Sequence, residues 1–177
     1  MKIITLSDHL KEHYGTKVYK LSLQSGCSCP NRDGTLSYGG CIFCSEGGSG
    51  DFAAPLLPLK EQLRLAKARV EAKLPKNRAE EEQKYIAYFQ SYTNTYGPVE
   101  RLEAPYREAL AQPEIVALSL GTRPDCLPDE MLAMLQRLRE ASGKDIWIEL
   151  GLQSIHEMTA ERIHRGYPLP VFDDAYH

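Results

Sequence analysis

Between Gly26 and Gly50 the chain reads GCSCPNRDGTLSYGGCIFCSEGGSG, a stretch that holds four of its five cysteines and offers no apolar period to a helix or a strand. Cys29, Cys41 and Cys44 stand at C-x11-C-x2-C spacing, and the close Cys41–Cys44 pair lets two thiolates converge on one metal centre within a single turn. Gly34, Gly39, Gly40, Gly47, Gly48 and Gly50 crowd the same stretch, as a backbone wrapped closely around a bulky ligand requires. The rest of the chain has to be a scaffold that holds this loop.

Three readings of the thiols stand side by side. Buried or disulfide-bonded cysteines are the plainest, and the absence of any secretory pattern argues against them. A four-thiolate zinc site would use Cys27, Cys29, Cys41 and Cys44, although Cys27-Ser28-Cys29 is cramped for that geometry. An iron–sulfur cluster on three cysteines leaves one iron open to a substrate or cofactor.

Charge and length narrow the classes. A net charge of −3 and a pI near 6.0 give no global basic footprint for nucleic acid, though a local groove stays possible. With 177 residues, 42% of them hydrophobic, the chain is sized for one domain with a core. Charges interrupt every apolar run of the opening MKIITLSDHLKEHYG, so it is not a signal peptide, and no run approaches the roughly 20 apolar residues of a membrane span. A cytoplasmic protein with reduced thiols is expected.

Periodicity predicts alternating elements. Lys17 to Gln24 sets Tyr19, Leu21 and Leu23 against Lys20, Ser22 and Gln24, a strand with one apolar face. Pro58 to Leu74 carries Leu59, Leu63, Ala66, Val70 and Leu74 at helical spacing, Pro75 should end that helix, and Lys76 to Lys84 reads as a solvated loop. Tyr85 to Gln90 is a second strand, and Pro98 to Ala111 a helical segment that Pro105 should split. Ile115 to Leu120 is a third strand, followed by a helix from Pro128 to Gly143. Asp145 to Leu152 is a fourth, with Glu149 facing opposite to Ile146 and Ile148. A last helix is expected from a capping box at Ser154–Glu157 to Gly166.

Four strand–helix units in a row imply parallel strands with right-handed crossovers. The expected fold is α/β, a partial TIM-like barrel of parallel strands, with a doubly wound open sheet as the alternative. Polar groups fall at the C-terminal strand ends, where such barrels place their chemistry: the cysteines, then Gln90 to Asn94, then Thr122, Arg123 and Asp125, then Glu149 and Gln153. Glu149 faces inward and needs a partner, either a bound ligand or Arg123. Cys126 is a thiol at this rim or a small buried residue. His156, His164 and His177 show no mutual metal spacing and read as surface residues.

Cys29-Pro30-Asn31-Arg32-Asp33-Gly34 with Gly39-Gly40-Cys41-Ile42-Phe43-Cys44 resembles the signature of a bacterial branch of the radical S-adenosylmethionine (radical SAM) enzymes related to the elongator catalytic-subunit type. His13-Tyr14-Gly15, the run Tyr88 to Tyr96, Gly121 to Leu127 and Glu149 to Ser154 are similar as well; Cys27 stands where an apolar residue is usual. The resemblance implies a [4Fe-4S] cluster on Cys29, Cys41 and Cys44, with S-adenosylmethionine on the open iron. Reductive cleavage would then give a 5′-deoxyadenosyl radical that abstracts hydrogen from a substrate. Phe43 would lie near the adenine. Gln90, Ser91, Tyr92, Thr93 and Asn94 would take the place of the family's Gly-Gly-Glu stretch, Glu149 would meet the cofactor, and Arg123 and Gln153 would contact cofactor or substrate. A flavodoxin- or ferredoxin-like reductant is implied as partner, and RNA as a substrate class by analogy alone. Such domains resemble a partial barrel of about six units, of which about four are present. Residues 1–177 therefore read as a C-terminally incomplete core domain with its cluster loop at 25–50, and as a chain prone to associate at an open edge. A zinc-stabilised binding module and an inactive fragment are the competing functions.

Overall fold

Leu21 and Leu23 are fully buried on one face of β1 (Val18–Leu23), and the alternation that puts them there recurs in every strand. The computed structural model describes residues 3–74 and 83–177. Among them β1, β2 (Lys84–Phe89), β3 (Ile115–Thr122) and β4 (Asp145–Leu150) form one sheet in the order β1-β2-β3-β4, all neighbours parallel. The crossovers are α2 (Leu59–Glu71), α3 (Val99–Leu110) and α4 (Asp129–Ser142). Leu59, Leu63 and Ala66 of α2, Leu102, Tyr106 and Ala109 of α3, and Met131, Met134 and Leu138 of α4 join Leu21, Leu23, Ala87, Phe89, Leu118 and Leu120 in one core. A doubly wound sheet reverses its strand order and carries helices on both faces. Here the order is sequential and the crossover helices share one face, so the sheet is the wall of a partial (β/α) barrel.

The opposite, inner face is layered. At its base Val18, Ile86, Ala117 and Trp147 pack with Leu10 and Tyr14 of a helix the periodicity does not announce, α1 (Leu6–Tyr14). Thr5 and Asp8 cap α1 reciprocally, and Gly15 ends it at a φ of 73°. Tyr14 donates to Asp145 Oδ2 at 2.6 Å, so α1 reaches under the sheet to the start of β4. Above this base lie Lys20, Tyr88, Ser119 and Glu149, and above them the strand ends open into a cavity.

Several expected boundaries differ. The helix after the cysteine loop stops at Glu71 rather than Leu74, and Pro75 and residues 76–82 lie outside the described residues, while Lys84 already belongs to β2. Pro105 does not split α3: burial of Leu102, Tyr106, Ala109 and Leu110 along one stripe outweighs the hydrogen bond the proline forfeits. β4 ends at Leu150. The capping box at Ser154 is not formed; the Glu157 carboxylate is taken by Leu169 N at 2.8 Å and by Arg165, so α5 (Glu157–Arg162) follows an N-cap at His156 that gives no side-chain cap, and it ends before the expected Gly166. α6 (Leu169–Tyr176) follows. No helix among the described residues is long and apolar enough to cross a membrane.

Candidate functional site

The cysteine loop is irregular but tightly bonded. Cys29 O accepts from Arg32 N at 2.8 Å, and Asn31 O accepts from Gly40 N at 2.8 Å, which folds residues 29–40 back on themselves. Gly40 is required there: its φ is 77°, and a Cβ would come within 2.7 Å of the Arg32 guanidinium. That guanidinium donates to Cys44 O at 3.0 Å and Ser45 O at 2.5 Å, tying the first cysteine's turn to the C-x2-C turn. Cys44 N bonds Cys41 O at 3.0 Å, so those two residues occupy a single turn.

Cys29, Cys41 and Cys44 all line one cavity of about 320 Å³ at the C-terminal ends of the strands. The other two cysteines do not. Cys27 is buried in the core on the helix side, its Sγ 3.4 Å from Arg101 Nη2. Cys126 is buried and lines a separate cavity of about 470 Å³; burial and the adjacent Asp125 push its thiol up to about 12. All five cysteines are free thiols. Among the described residues no three His, Cys, Asp or Glu side chains stand close enough to share a single ion. A lone tetrahedral metal needs thiolates about 3.8 Å apart; a cluster that takes one thiolate per iron sits among thiolates spaced more widely.

The remaining residues singled out from the sequence separate into two groups. Phe43, Gln90, Tyr92, Thr93, Arg123, Glu149 and Gln153 line the cavity with the thiols. Ser91 and Asn94 are buried behind it. The Ser91 hydroxyl has no hydrogen-bond partner among the described residues and lies where a Cβ on Gly50 would collide with it. Asn94 donates to Phe89 O and Gly121 O at 2.9 Å each and accepts from Ser25 Oγ at 2.6 Å, which bolts β2, β3 and the start of the cysteine loop together.

Glu149 does not pair with Arg123. Its Oε1 accepts from Lys20 Nζ at 2.5 Å and Ser119 Oγ at 2.6 Å, and Lys20 lies 3.9 Å above the Tyr88 ring centroid. Burial alone would raise the Glu149 carboxyl, but these bonds outweigh it and hold it below the usual carboxylate range. Burial and the Glu149 charge push Tyr88 up to about 12. Arg123 forms a two-point bond to Asp125 (2.8 and 2.7 Å) and donates to Arg165 O at 2.9 Å. Burial pushes the Cys41 thiol up, the Asn31 amide pulls it down, and the Cys29 and Cys44 charges push it up again.

Lys20, Tyr88 and Ser119 are named by strand parity once the inner face is known, since each occupies the inward register beside Glu149. Arg165 and Tyr167 carry no such signal, yet both line the cavity. Arg165 is 1% exposed and spends its guanidinium donors on Tyr167 O, Leu152 O, Ser154 O and the Glu157 carboxylate, so it folds the segment after β4 on itself, while its own carbonyl accepts from Asn31 Nδ2 of the cysteine loop at 3.1 Å.

The chain is 47% identical over 164 residues to the uncharacterised protein YtqA of Bacillus subtilis, 44% identical over 163 residues to protein YhcC of Escherichia coli, and 38% identical over 162 residues to the uncharacterised protein MJ0486 of Methanocaldococcus jannaschii. These matches cover 92%, 92% and 90% of this chain but 48%, 50% and 47% of the relatives, so the chain spans about half the length of the curated relatives it matches. No family model matches the chain, and no solved structure matches it significantly.

Proposed function

We propose that this chain carries the cluster-binding core of a cytoplasmic radical SAM enzyme, in which Cys29, Cys41 and Cys44 hold a [4Fe-4S] cluster. The observation that carries the reading is the sorting of the thiols: the three at C-x11-C-x2-C spacing face one cavity at the strand ends, and Cys27 and Cys126 do not. The donor set fits such a group, with three thiols on an irregular loop, each near polar backbone, above a floor of partly buried polar side chains. The four-thiolate zinc site needs Cys27, whose sulfur lies instead in the helix-side core beside Arg101.

When bound, the cluster and S-adenosylmethionine supply one-electron cleavage of the sulfonium and abstraction of hydrogen from a substrate. The protein's residues bind and orient. Gln90, Tyr92 and Thr93 offer amide, hydroxyl and backbone groups at the end of β2, held from behind by Asn94. Glu149 offers an ionised carboxylate on the cavity floor, pre-set by Lys20 and Ser119, to an amino or hydroxyl group of the cofactor. Phe43, half exposed at the mouth, offers a flat apolar surface to a base. Arg123, already paired with Asp125, shapes the wall more than it adds charge. A flavodoxin- or ferredoxin-like protein would supply the electron, and RNA is the substrate class that the resemblance favours.

Anaerobic reconstitution with iron and sulfide tests this. A brown protein absorbing broadly near roughly 400 nm is expected, as thiolate-bound iron–sulfur clusters do. Cys29→Ala, Cys41→Ala and Cys44→Ala should each lose the colour, and Cys27→Ala and Cys126→Ala should keep it. A colourless protein with one zinc per chain, or loss of colour only with Cys27→Ala, overturns the reading.

A further inference from the structure

Two of the three cavity thiols have a side-chain partner at the sulfur. Asn31 Nδ2 donates to Cys41 Sγ at 3.3 Å, and the Ser49 hydroxyl lies 3.3 Å from Cys44 Sγ. Asn31 is 1% exposed. Its Nδ2 also faces the carbonyls of His164 at 2.8 Å and Arg165 at 3.1 Å. Carbonyl oxygens only accept, so two of them at one end of the amide settle that end as the NH2 group. Gly166 makes room for the other end, because a Cβ there would come within 2.5 Å of Asn31 Oδ1.

The Cys41 sulfur also lies 3.2 Å from His164 O, and the Asn31 amide reaches both, so its two hydrogens face three acceptors of which the sulfur is one. Donors aimed at a ligating sulfur favour the more negative, reduced state of the group it holds.

Resting on the reading above, we propose that Asn31, and more weakly Ser49, are positioning residues that hydrogen-bond the ligating thiolates of Cys41 and Cys44 and raise the reduction potential of the cluster they hold. Ser49 is exposed at the cavity mouth, where water competes with it, which makes its effect the smaller.

The test uses the full chain, reconstituted anaerobically, with iron and sulfide assayed and the midpoint read by dye-mediated titration monitored by electron paramagnetic resonance. Asn31→Ala should still load a cluster but be about tenfold less reduced at the wild-type midpoint, a downward shift of about 59 mV for one electron. Ser49→Ala should shift the same way by less. A loop that is merely displaced loses cluster content or stability without this ordered shift. Loaded variants with the wild-type midpoint overturn the inference while leaving the proposed function intact. If Asn31→Ala fails to load, Ser49→Ala decides, and an unchanged midpoint there overturns it. No cluster in the wild-type chain overturns the proposed function and this inference with it.

Discussion

Glu149 shows how one side chain can be both structural and available. One of its oxygens takes the bonds from Lys20 and Ser119, and the carboxylate still lines the cavity. Its folded-state pKa is lowered, so its contribution to stability is present in full above the ordinary value of 4.5 and is lost as pH falls through the lower folded value. The side chain is 38% exposed, so solvent screening keeps that contribution small, about 1 kcal/mol or less. Glu149→Gln should therefore lower stability slightly at pH 7 and flatten its pH dependence below 4.5, as read from urea unfolding at several pH values. Equal slopes for the two proteins across that window would remove Glu149 from the ionised network.

Among the elements, α3 is the one whose sequence argues against itself. Pro105 sits in its interior, lacking the amide that would bond Arg101 O, yet the helix runs from Val99 to Leu110 because four buried residues hold one face against the sheet. Packing decides against propensity here. Pro105→Ala should restore the bond and relieve the ring's crowding, offset in part by a more flexible unfolded chain. A net gain of about 1 kcal/mol, or roughly 2–4 °C in Tm, is expected by calorimetry. A lower Tm would mean that the ring itself packs productively. The 3₁₀ turn Pro124–Cys126 has the opposite character: Arg123 and Asp125 bond across it, so local sequence and tertiary position agree.

At the scale of the molecule, stability should be uneven across the sheet. β2 and β3 pair on both sides and hold most of the sheet's fully buried residues, whereas every residue of β4 is only partly buried, and among the described residues no strand pairs with its outer edge. Alternate β4 amides should exchange with solvent hydrogens far faster than those of β2 and β3, whose exchange requires near-global unfolding. Exposed edges also template pairing, so the chain should associate with rising concentration in sedimentation. Uniform protection across the sheet together with a concentration-independent monomer would mean that the β4 edge is covered.

How much of this was legible depends on the range over which each signal acts. Strand parity in β1 and β4 placed Leu21 and Leu23 in the core and Glu149 on the inner face, because a period of two is local and burial enforces it. The C-x11-C-x2-C spacing singled out the loop thiols for the same reason. Even α1 was written locally, in Thr5, Asp8 and Gly15, though its apolar period is too short to announce it. The sequence could not assign Glu149 to Lys20 rather than Arg123, nor show that Asn94 and Ser91 face away from the cavity. It gave no sign that Arg165, far along the chain, would close the wall beside Cys41. Those outcomes depend on which charges and carbonyls meet when four strands curve together. The sequence by itself determined most of the elements, their order and the loop that gathers the thiols. Only the tertiary structure decided which buried polar group satisfies which, because a desolvated donor or acceptor must find a partner among whatever the fold brings within about 3 Å of it.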